Sequence, residues 1–524
     1  MTIYLDYAAT TPVDPRVVAA MTECLSSTPG NPASATHGPG LAASDRVEGA
    51  RAQVAALIGA TAREIIFTSG ATEANNLALL GVARAARRAT AGRGHIVSSR
   101  TEHKSVLDTC KQLEKEGFAI TLVEPDESGR VAPETVGSSL RGDTLLVSLM
   151  LANNEIGVVS DLAAIAAMCR ARGVLVHTDA SQAVGKLPVD VESLGVDFLS
   201  LTAHKFYGPK GIGALYVRES ARPKIAPVQF GGGHERGLRS GTLPTHQIVG
   251  MGTAAAITRA QGAADAAHAR DLAGRLWREL EPIPGVVFNG HREHRVPGLI
   301  NVSFDGVEGE SLITGLAGIA VSSGSACSSA TREPSYVLRS LGRTTELAQS
   351  SLRLSLGRFT TAADVDEAAT AIRAEVARLR ILAGGPGIAE PASANAGGDS
   401  LLARSLSPLT RRYFLAPARV PEHPEGVEAP DVRQGRAGLA SSGTQVTFEL
   451  RIAGGIVKSA RFSAYGCPHT VAVAGWLCEV IEGMRLDAAS PGTPADWARK
   501  FEVPAEKLGR LLVVEDALRA ALVD

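Results

Sequence analysis

An alternation constrains the fold of this chain more than any other feature. Through the first ~380 residues, short apolar runs suited to buried strands alternate with stretches of helical spacing. REIIFTSG (63–70) ends in a turn, and ATEANNLALLGVARAARRA (71–89) has helical spacing. HIVSSRTEHKSV and TLLVSLMLANNEIG repeat the strand-then-turn pattern. The helical LAAIAAMCRARG leads into VLVHTDASQ and then VDFLSLTAHK. Alternation of this kind predicts a mostly parallel sheet with helices on both faces, an α/β fold. Ligands bind such sheets beyond the carboxyl ends of the strands. Polar residues gathered at those ends are therefore candidates for one shared site.

The remaining chain changes character. Residues 256–380 carry longer helices and a few strands (GLINVSFDG, GIAVSSGSACSS, SLRLSLG), which predict a smaller α+β domain that residues 1–14 join. The large domain then spans 15–255. Residues 381–410 contain AGGPGIAEPASANAGGDS and read as a flexible linker. From 411 to 524 a further α+β domain follows, in which TQVTFELRI and GIVKSARFSAYG form a hairpin. A length of 524 residues suits two or three domains. The net charge of −1 gives no reason to expect nucleic acid or an anionic membrane as the main partner. No uninterrupted apolar stretch reaches the ~18 residues of a spanning helix. The N-terminus MTIYLDYAATTPVDP lacks the basic region and apolar core of a signal peptide, so a cytoplasmic protein is expected. Six sparse cysteines without a CxxC pair argue against a disulfide scaffold or a four-cysteine zinc site, and no metal is expected.

Chemistry concentrates near the predicted strand ends. Lys205, in VDFLSLTAHKFYGPKGIG (196–213), stands where a strand stops and a Gly/Pro turn begins. From that stretch alone it is either an ordinary solvated charge or an amine held for chemistry. Ser69-Gly70-Ala71-Thr72-Glu73 follows a strand and opens a helix. Its free N–H groups suit an anion such as phosphate, although a hydroxyl at a helix start also serves as a plain cap. Asp179 ends VLVHTDA, with Gln182 three residues on. A buried carboxylate there needs a cationic partner, and a protonated pyridine nitrogen is one. His103 in RTEHKSV is a proton shuttle or a structural histidine. An acid for a pyridinium and an amine for a Schiff base are what a protein contributes to a pyridoxal phosphate enzyme. Lys205, Asp179, Gln182 and His103, together with a phosphate turn, are hard to read as independent accidents.

Residues 1–380 closely resemble the cysteine desulfurases of the housekeeping iron–sulfur assembly type, within the class V, fold-type I aminotransferase superfamily. The resemblance is carried by YLDYAATTPVDPRV, GNPAS, REIIFTSGATEANNLA, TEHKSVLDTC, NNEIGVV, HTDASQAVGK, AHKFYGPKGIGALYVR, GGGHERGLRSGTLPTHQIVGMG, SSGSACSSATREPSYVLRSLG and SLRLSLGRFTT. It implies that Lys205 forms the Schiff base with pyridoxal 5'-phosphate, that Asp179 pairs with the pyridine nitrogen, that His103 stacks on the ring and that Gln182 meets the ring oxygen. Ala71, Thr72, Thr202 and His204 are expected at the phosphate. Thr202 stands where a serine is more usual and keeps the hydroxyl. The match of Thr242 implies that a partner subunit completes each site, hence a homodimer. Asn154 and Arg353 are expected to hold the L-cysteine substrate, Arg353 by forking onto its carboxylate. Cys327, in the Ser- and Gly-rich SSGSACSSAT, is expected to take the substrate's sulfur as a persulfide, leaving L-alanine, and to pass it to an acceptor protein.

Residues 411–524 resemble the IscU/NifU-type scaffold on which iron–sulfur clusters are built, through VTFELRIAGGIVKSARFSAYGCPHTVAVAGWLCEVIEGMRLDAA and VVEDALRAAL. Of that family's three ligand cysteines only the middle one, Cys467, remains. Ser442 and Arg510 stand at the other two positions, Thr444 at its aspartate and Gly509 at its histidine. Cys478 lies eleven residues from Cys467, about 16 Å along a helix, too far to share a metal. His469 with Cys467 makes only two donors, a poor site. Three roles stay open for the domain: a docking or dimer-stabilising module, a sulfur relay through Cys467, or cluster assembly. The whole chain reads as a cysteine desulfurase supplying sulfur for iron–sulfur clusters or thio-modification. The alternatives are a selenocysteine lyase and a non-catalytic scaffold or regulatory fusion.

Overall fold

A computed structural model describes residues 2–89, 94–323, 334–385, 401–417, 432–486 and 491–523. The strands in chain order are β1 (Ile3–Tyr4), β2 (Ile65–Thr68), β3 (His95–Ser99), β4 (Ala119–Val123), β5 (Thr144–Ser148), β6 (Leu175–Asp179), β7 (Phe198–Thr202) and β8 (Gly213–Val217). They continue with β9 (Val286–Phe288), β10 (Leu299–Phe304), β11 (Ile319–Ala320), β12 (Ser351–Ser355), β13 (Val432–Leu439), β14 (Thr444–Ala453) and β15 (Ile456–Tyr465). Seven of them form one sheet in the order β2-β8-β7-β6-β5-β3-β4. β8 alone runs antiparallel to its neighbours, so the other six end at the same edge.

The central strands show why this sheet is covered on both faces. β5, β6 and β7 read TLLVS, LVHTD and FLSLT, and nearly every residue is buried. Such continuous burial belongs to a sheet packed by helices on each side. Two apolar clusters occupy the two faces: one gathers Val147, Val176 and Leu199, the other Ile66, Ile96, Leu146 and Phe198. Polar residues within these strands pair laterally. His177 is fully buried and bridges Ser148 Oγ (2.8 Å) on β5 and Ser200 Oγ (3.0 Å) on β7.

A second body holds the antiparallel sheet β12-β10-β9 and the parallel pair β1-β11. One helix, Thr245–Leu280, runs across residue 255, where the sequence suggests a boundary, so the two bodies share a continuous helix. The sheet β13-β14-β15 and helices Pro408–Leu415, Pro468–Ile481, Pro494–Phe501 and Leu508–Leu522 form the C-terminal body.

Of the expected flexible linker over 381–410, residues 381–385 and 401–410 are described, and helices reach into both ends. Helix Ala362–Leu382 extends into its start, and helices Leu401–Arg404 and Pro408–Leu415 occupy its end and the residues beyond. Ser407 caps the latter helix with Pro408 in the first turn, and Ala403 and Phe414 are buried. Residues 386–400 of the linker lie outside the described residues. The physical reason is a shared core. One apolar cluster runs from Ile300, Leu354, Leu379 and Leu382 into Phe414, Phe462, Leu477 and Phe501. Burying each such side chain stabilises by roughly 2 kcal/mol, against at most about 1 for a surface ion pair. Apolar packing therefore holds the C-terminal body on the second body, and the charge pairs at its rim set orientation.

Burial pushes the His177 imidazole down to about 4. A histidine buried neutral binds its proton more readily unfolded, so its stabilisation is full above about pH 6.5 and falls as the pH drops toward 4. Urea unfolding at pH 7 and 4.5 tests this. His177→Gln, which keeps a donor and an acceptor without titrating, is expected to remove a pH-dependent loss of about 2 kcal/mol between those two values.

Candidate functional site

The common edge of the large sheet opens on a cavity of about 610 Å³. β6 delivers Asp179 to it, and β7 delivers Thr202 followed by the turn Ala203–Lys205. The two strands are parallel neighbours with Asp179 opposite Ser200, so the acid and the lysine arrive side by side although 26 residues separate them. β2 ends before Ser69 and Gly70, and helix Ala71–Ala89 then points its N-terminus into the cavity with Thr72. A side chain at Gly213, the first residue of β8, would meet Gly70 Cα at 2.7 Å. Two glycines thus let the turn lie close against the sheet. His103 caps helix Lys104–Lys115, and its Nδ1 accepts the Ser105 N–H at 3.1 Å.

The Asp179 carboxylate is 6% exposed. It accepts Asn75 Nδ2 at 2.7 Å and the Ser181 N–H at 2.9 Å. Among the described residues no cation forms a salt bridge with it. Lys205 Nζ donates to the carbonyls of Ala8 and Ala9, the latter at 2.8 Å. Gln182 Nε2 donates to the same Ala8 carbonyl at 2.8 Å. His204 Nδ1 lies 3.2 Å from Thr10 Oγ1. Burial, then the charges of Lys205, Lys210 and Lys186, push His204 down to about 4, so the ring is neutral at pH 7. The Thr202 hydroxyl donates to Ile212 O at 3.2 Å. In the first turn of helix Ala71–Ala89, Glu73 accepts Ser69 N–H (2.7 Å) and Arg239 Nε (2.7 Å), which ties the Arg239 loop to the phosphate turn.

Arg353 enters from β12, 2% exposed. It donates to Asp6 Oδ1 and to the Asn154 carbonyl, each at 2.9 Å. Asn154 Oδ1 and Ser181 Oγ are buried at this cavity without a hydrogen-bond partner among the described residues. Orphaned polar atoms, a helix N-terminus, a lysine and a buried carboxylate together fit a ligand that carries phosphate and a basic ring nitrogen. Pyridoxal phosphate has both, so the residues present fit the group.

The cavity thus brings together Ala71, Thr72, His103, Asn154, Asp179, Gln182, Thr202, His204, Lys205 and Arg353. Thr242 is exposed and does not line it. Cys327 lies outside the described residues. Its flanking segments both reach the cavity side: Ser322 bridges to Arg353, and Tyr336 lines the cavity. Sequence reasoning missed Asn75 and Asp6, which hold the two key charges. Asn75 carried a usable signal, a polar residue one turn into the helix after SGATE.

Cys467 is 0% exposed at the start of helix Pro468–Ile481. Burial alone would lower the Arg510 guanidinium, but nearby Cys467 and Glu308 of the second body raise it above its ordinary value. Arg510 reaches Glu308 at 3.3 Å, and Lys507 pairs with Glu310. Ser311 Oγ donates to Gly466 O at 2.8 Å. Ser442 is exposed, Thr444 is buried, and a side chain at Gly443 between them would sit 3.7 Å from Arg510. Among the described residues no group of three or more His, Cys, Asp or Glu side chains suits a metal ion. The cysteine-bearing end of this body therefore faces the second body, with Cys467 buried and Arg510 paired to Glu308 nearby.

Comparison with known proteins agrees with both halves. The family model for aminotransferase class-V matches residues 3–368, and that for the NifU-like N terminal domain matches residues 419–524. The chain is 57% identical over 381 residues to "Cysteine desulfurase IscS" of Aeromonas salmonicida (strain A449), covering 72% of this chain and 93% of that protein. It is 54% identical over 382 residues to "Cysteine desulfurase IscS" of Escherichia coli (strain K12 / DH10B), covering 72% and 94%. Among solved structures, a "NIFS-LIKE PROTEIN" superposes with a TM-score of 0.66 at 36% identity, covering 71% of this chain and 99% of that one. DndA from Streptomyces lividans superposes with a TM-score of 0.57 at 40% identity, covering 67% and 99%.

The closure of Cys467 has a direct test. In the native chain a maleimide is expected to label Cys467 slower than in urea by roughly a hundredfold or more, since labelling needs local opening. Arg510→Ala is expected to speed native labelling, as read by peptide mass spectrometry.

Proposed function

The chain belongs to the aminotransferase class-V family, and from that premise we propose that it is a pyridoxal 5'-phosphate-dependent cysteine desulfurase. It converts L-cysteine to L-alanine, stores the sulfur as a persulfide on Cys327 and supplies it for iron–sulfur cluster assembly. The observation that carries this reading is the convergence of Lys205, Asp179 and an open helix N-terminus on one cavity. Identity of 54–57% to cysteine desulfurases across nearly their whole length supports it, and the NifU-like match favours cluster assembly as the destination of the sulfur.

The residues divide the work as follows. Lys205 holds the cofactor, with Asp179 at the ring nitrogen, Gln182 at the ring oxygen, and Ala71, Thr72, Thr202 and His204 at the phosphate. When bound, pyridoxal phosphate supplies an electron sink that weakens the substrate's bonds at Cα and Cβ. Arg353, steadied by Asp6, binds the substrate carboxylate beside Asn154. The His103 Nδ1 accepts a backbone N–H, so in the neutral ring Nε2 is the position that carries the proton. His103 moves protons there. The Cys327 thiolate attacks the substrate sulfur as the Cβ–S bond breaks, and the carbon side keeps the electron pair and takes up a proton. One cysteine and one Cys327 thiol give one alanine and one persulfide, with no external oxidant.

The enzyme acts as a homodimer. Thr242 is exposed and absent from its own chain's cavity, and Phe230 on the same glycine-rich loop is 73% exposed. Both facts suit a loop that serves a partner subunit's site. Cys24, Cys110, Cys169, Cys467 and Cys478 are free thiols, which supports a reducing, cytoplasmic setting. No described helix is long and apolar enough to cross a membrane. The C-terminal body acts as a docking module. Its shared core and closed Cys467 favour that role over sulfur relay or cluster assembly.

Cys327→Ser is expected to abolish alanine release from cysteine while the cofactor-loaded protein stays yellow. Continued alanine release by that variant would overturn the assignment. After one turnover, mass spectrometry of the wild-type chain is expected to find the extra sulfur on the Cys327 peptide. Sulfur on the Cys467 peptide would establish relay instead.

A further inference from the structure

Tyr207 lies two residues after Lys205 with φ +67°, in the left-handed region that a residue other than glycine rarely adopts. A bulky side chain held there is strained, so its surroundings must compensate. Part of the compensation comes from the N-terminal segment. The Tyr207 N–H donates to Thr11 Oγ1 at 2.8 Å, and the Asp14 N–H donates to the Tyr207 carbonyl at 3.0 Å. The Thr11 N–H and hydroxyl both donate to the His204 carbonyl, at 2.9 and 3.1 Å. The turn that carries Lys205 is thus bonded to residues 11–14 on each side of the lysine.

Arg358 ties that turn to the second body. Its guanidinium lies 4.0 Å from the centroid of the Tyr207 ring, and its backbone N–H donates to the Tyr207 hydroxyl at 2.8 Å. One arm of the guanidinium donates to Asp14 Oδ2 at 2.6 Å. Nε and the other arm donate to Asp265 Oδ2 at 3.0 and 2.7 Å. Asp265 stands on helix Thr245–Leu280, which both bodies share. The Arg358 side chain is only 10% exposed, so water and salt screen these contacts little. Gly357 allows the close approach, since a Cβ there would meet Tyr7 Cδ1 at 2.3 Å and the Tyr207 hydroxyl oxygen at 2.7 Å. Arg353 stands five residues before Arg358, on the strand that leads into it.

We propose that Arg358 is a positioning residue that fixes the span between Lys205 and Arg353, clamping the Lys205 turn through the Tyr207 ring and the Asp14 carboxylate. An amino acid must reach both ends of this span. Its amine meets the cofactor held by Lys205 while its carboxylate meets Arg353, and a misplacement of about 1 Å is enough to lose one of the two. Arginine suits the task, because it offers a flat face to the ring and a fork that joins two carboxylates on different elements. The proposal rests on the readings that Lys205 holds the cofactor and that Arg353 binds the carboxylate.

Binding of L-alanine and of L-alaninamide to the cofactor-loaded protein, read from the cofactor's absorbance, separates these claims without turnover. Both ligands offer the amine and only alanine offers a carboxylate, so the ratio of their dissociation constants reports the far end of the span. Arg353→Met is expected to remove most of alanine's advantage. Arg358→Met is expected to cut that advantage roughly tenfold while alaninamide binds within about twofold of wild type. Arg358→Lys keeps the charge but loses the flat face and the fork, so its ratio should fall between the two. If the methionine variant does not retain the cofactor, the lysine variant carries the test, and a wild-type ratio there would overturn the role of Arg358. No absorbance response to either ligand in the wild-type chain would overturn the reading of the cofactor site. An unchanged ratio in Arg353→Met would overturn the reading of Arg353. A fallen ratio in Arg353→Met with none in Arg358→Met would overturn the role of Arg358. Equal weakening of both ligands in Arg358→Met would overturn it too, because a general loosening of the fold does not single out the carboxylate.

Discussion

A carboxylate buried at the end of a parallel strand governs the architecture of the site. Asp179 ends β6 with two N–H donors and no salt bridge among the described residues. Burying a charge in this way is tolerated only where the fold supplies compensation. Here the compensation comes from three elements at once: Asn75 from the helix after β2, the Ser181 N–H from its own turn, and a cavity able to admit a cationic ring. The parallel order of β2, β7 and β6 places the helix N-terminus, Lys205 and Asp179 at one edge. A ligand with a phosphate at one end and a basic ring nitrogen at the other would fit this edge, with Lys205 between them.

The C-terminal body shows how a family's chemistry can be closed while its fold persists. Arg510, which the family resemblance sets at a ligand cysteine's position, lies near Cys467 and pairs with Glu308. An arginine keeps its charge under all ordinary conditions, so it cannot give way to a metal by losing a proton. The same substitution that removes a ligand therefore adds a bond to the second body. With the shared apolar core behind it, the module is held with its former ligand end turned inward.

Much of the site was legible because its residues share one local signature, a polar group where an apolar run stops. Lys205, Asp179, His103, Gln182 and the SGATE turn all carry that signature and all line one cavity. Asp6 and Asn75 do not carry it in the same form, and their partners lie 347 and 104 residues away. Contacts at such separation leave no periodic trace. The C-terminal end of the expected linker was less legible. Gly, Ala, Pro and Ser dominate 383–400, yet Ser407-Pro408 is a helix start with Phe414 behind it, and the composition of the preceding stretch masked that cap. The burial of Cys467 was not legible at all, since Glu308 and Ser311 come from another body. A sulfur relay through Cys467 would need an accessible thiol, and tertiary packing buries it.

Lys104, Lys205 and Lys210 line the cavity and Lys186 lies close by, yet the cofactor is assigned to Lys205 alone. Borohydride reduction of the cofactor-loaded protein, followed by peptide mapping, decides between them most directly. The cofactor is expected on the peptide that contains Lys205. Recovery on the Lys186 peptide, or no covalent attachment in protein that retains the yellow cofactor, would contradict the account.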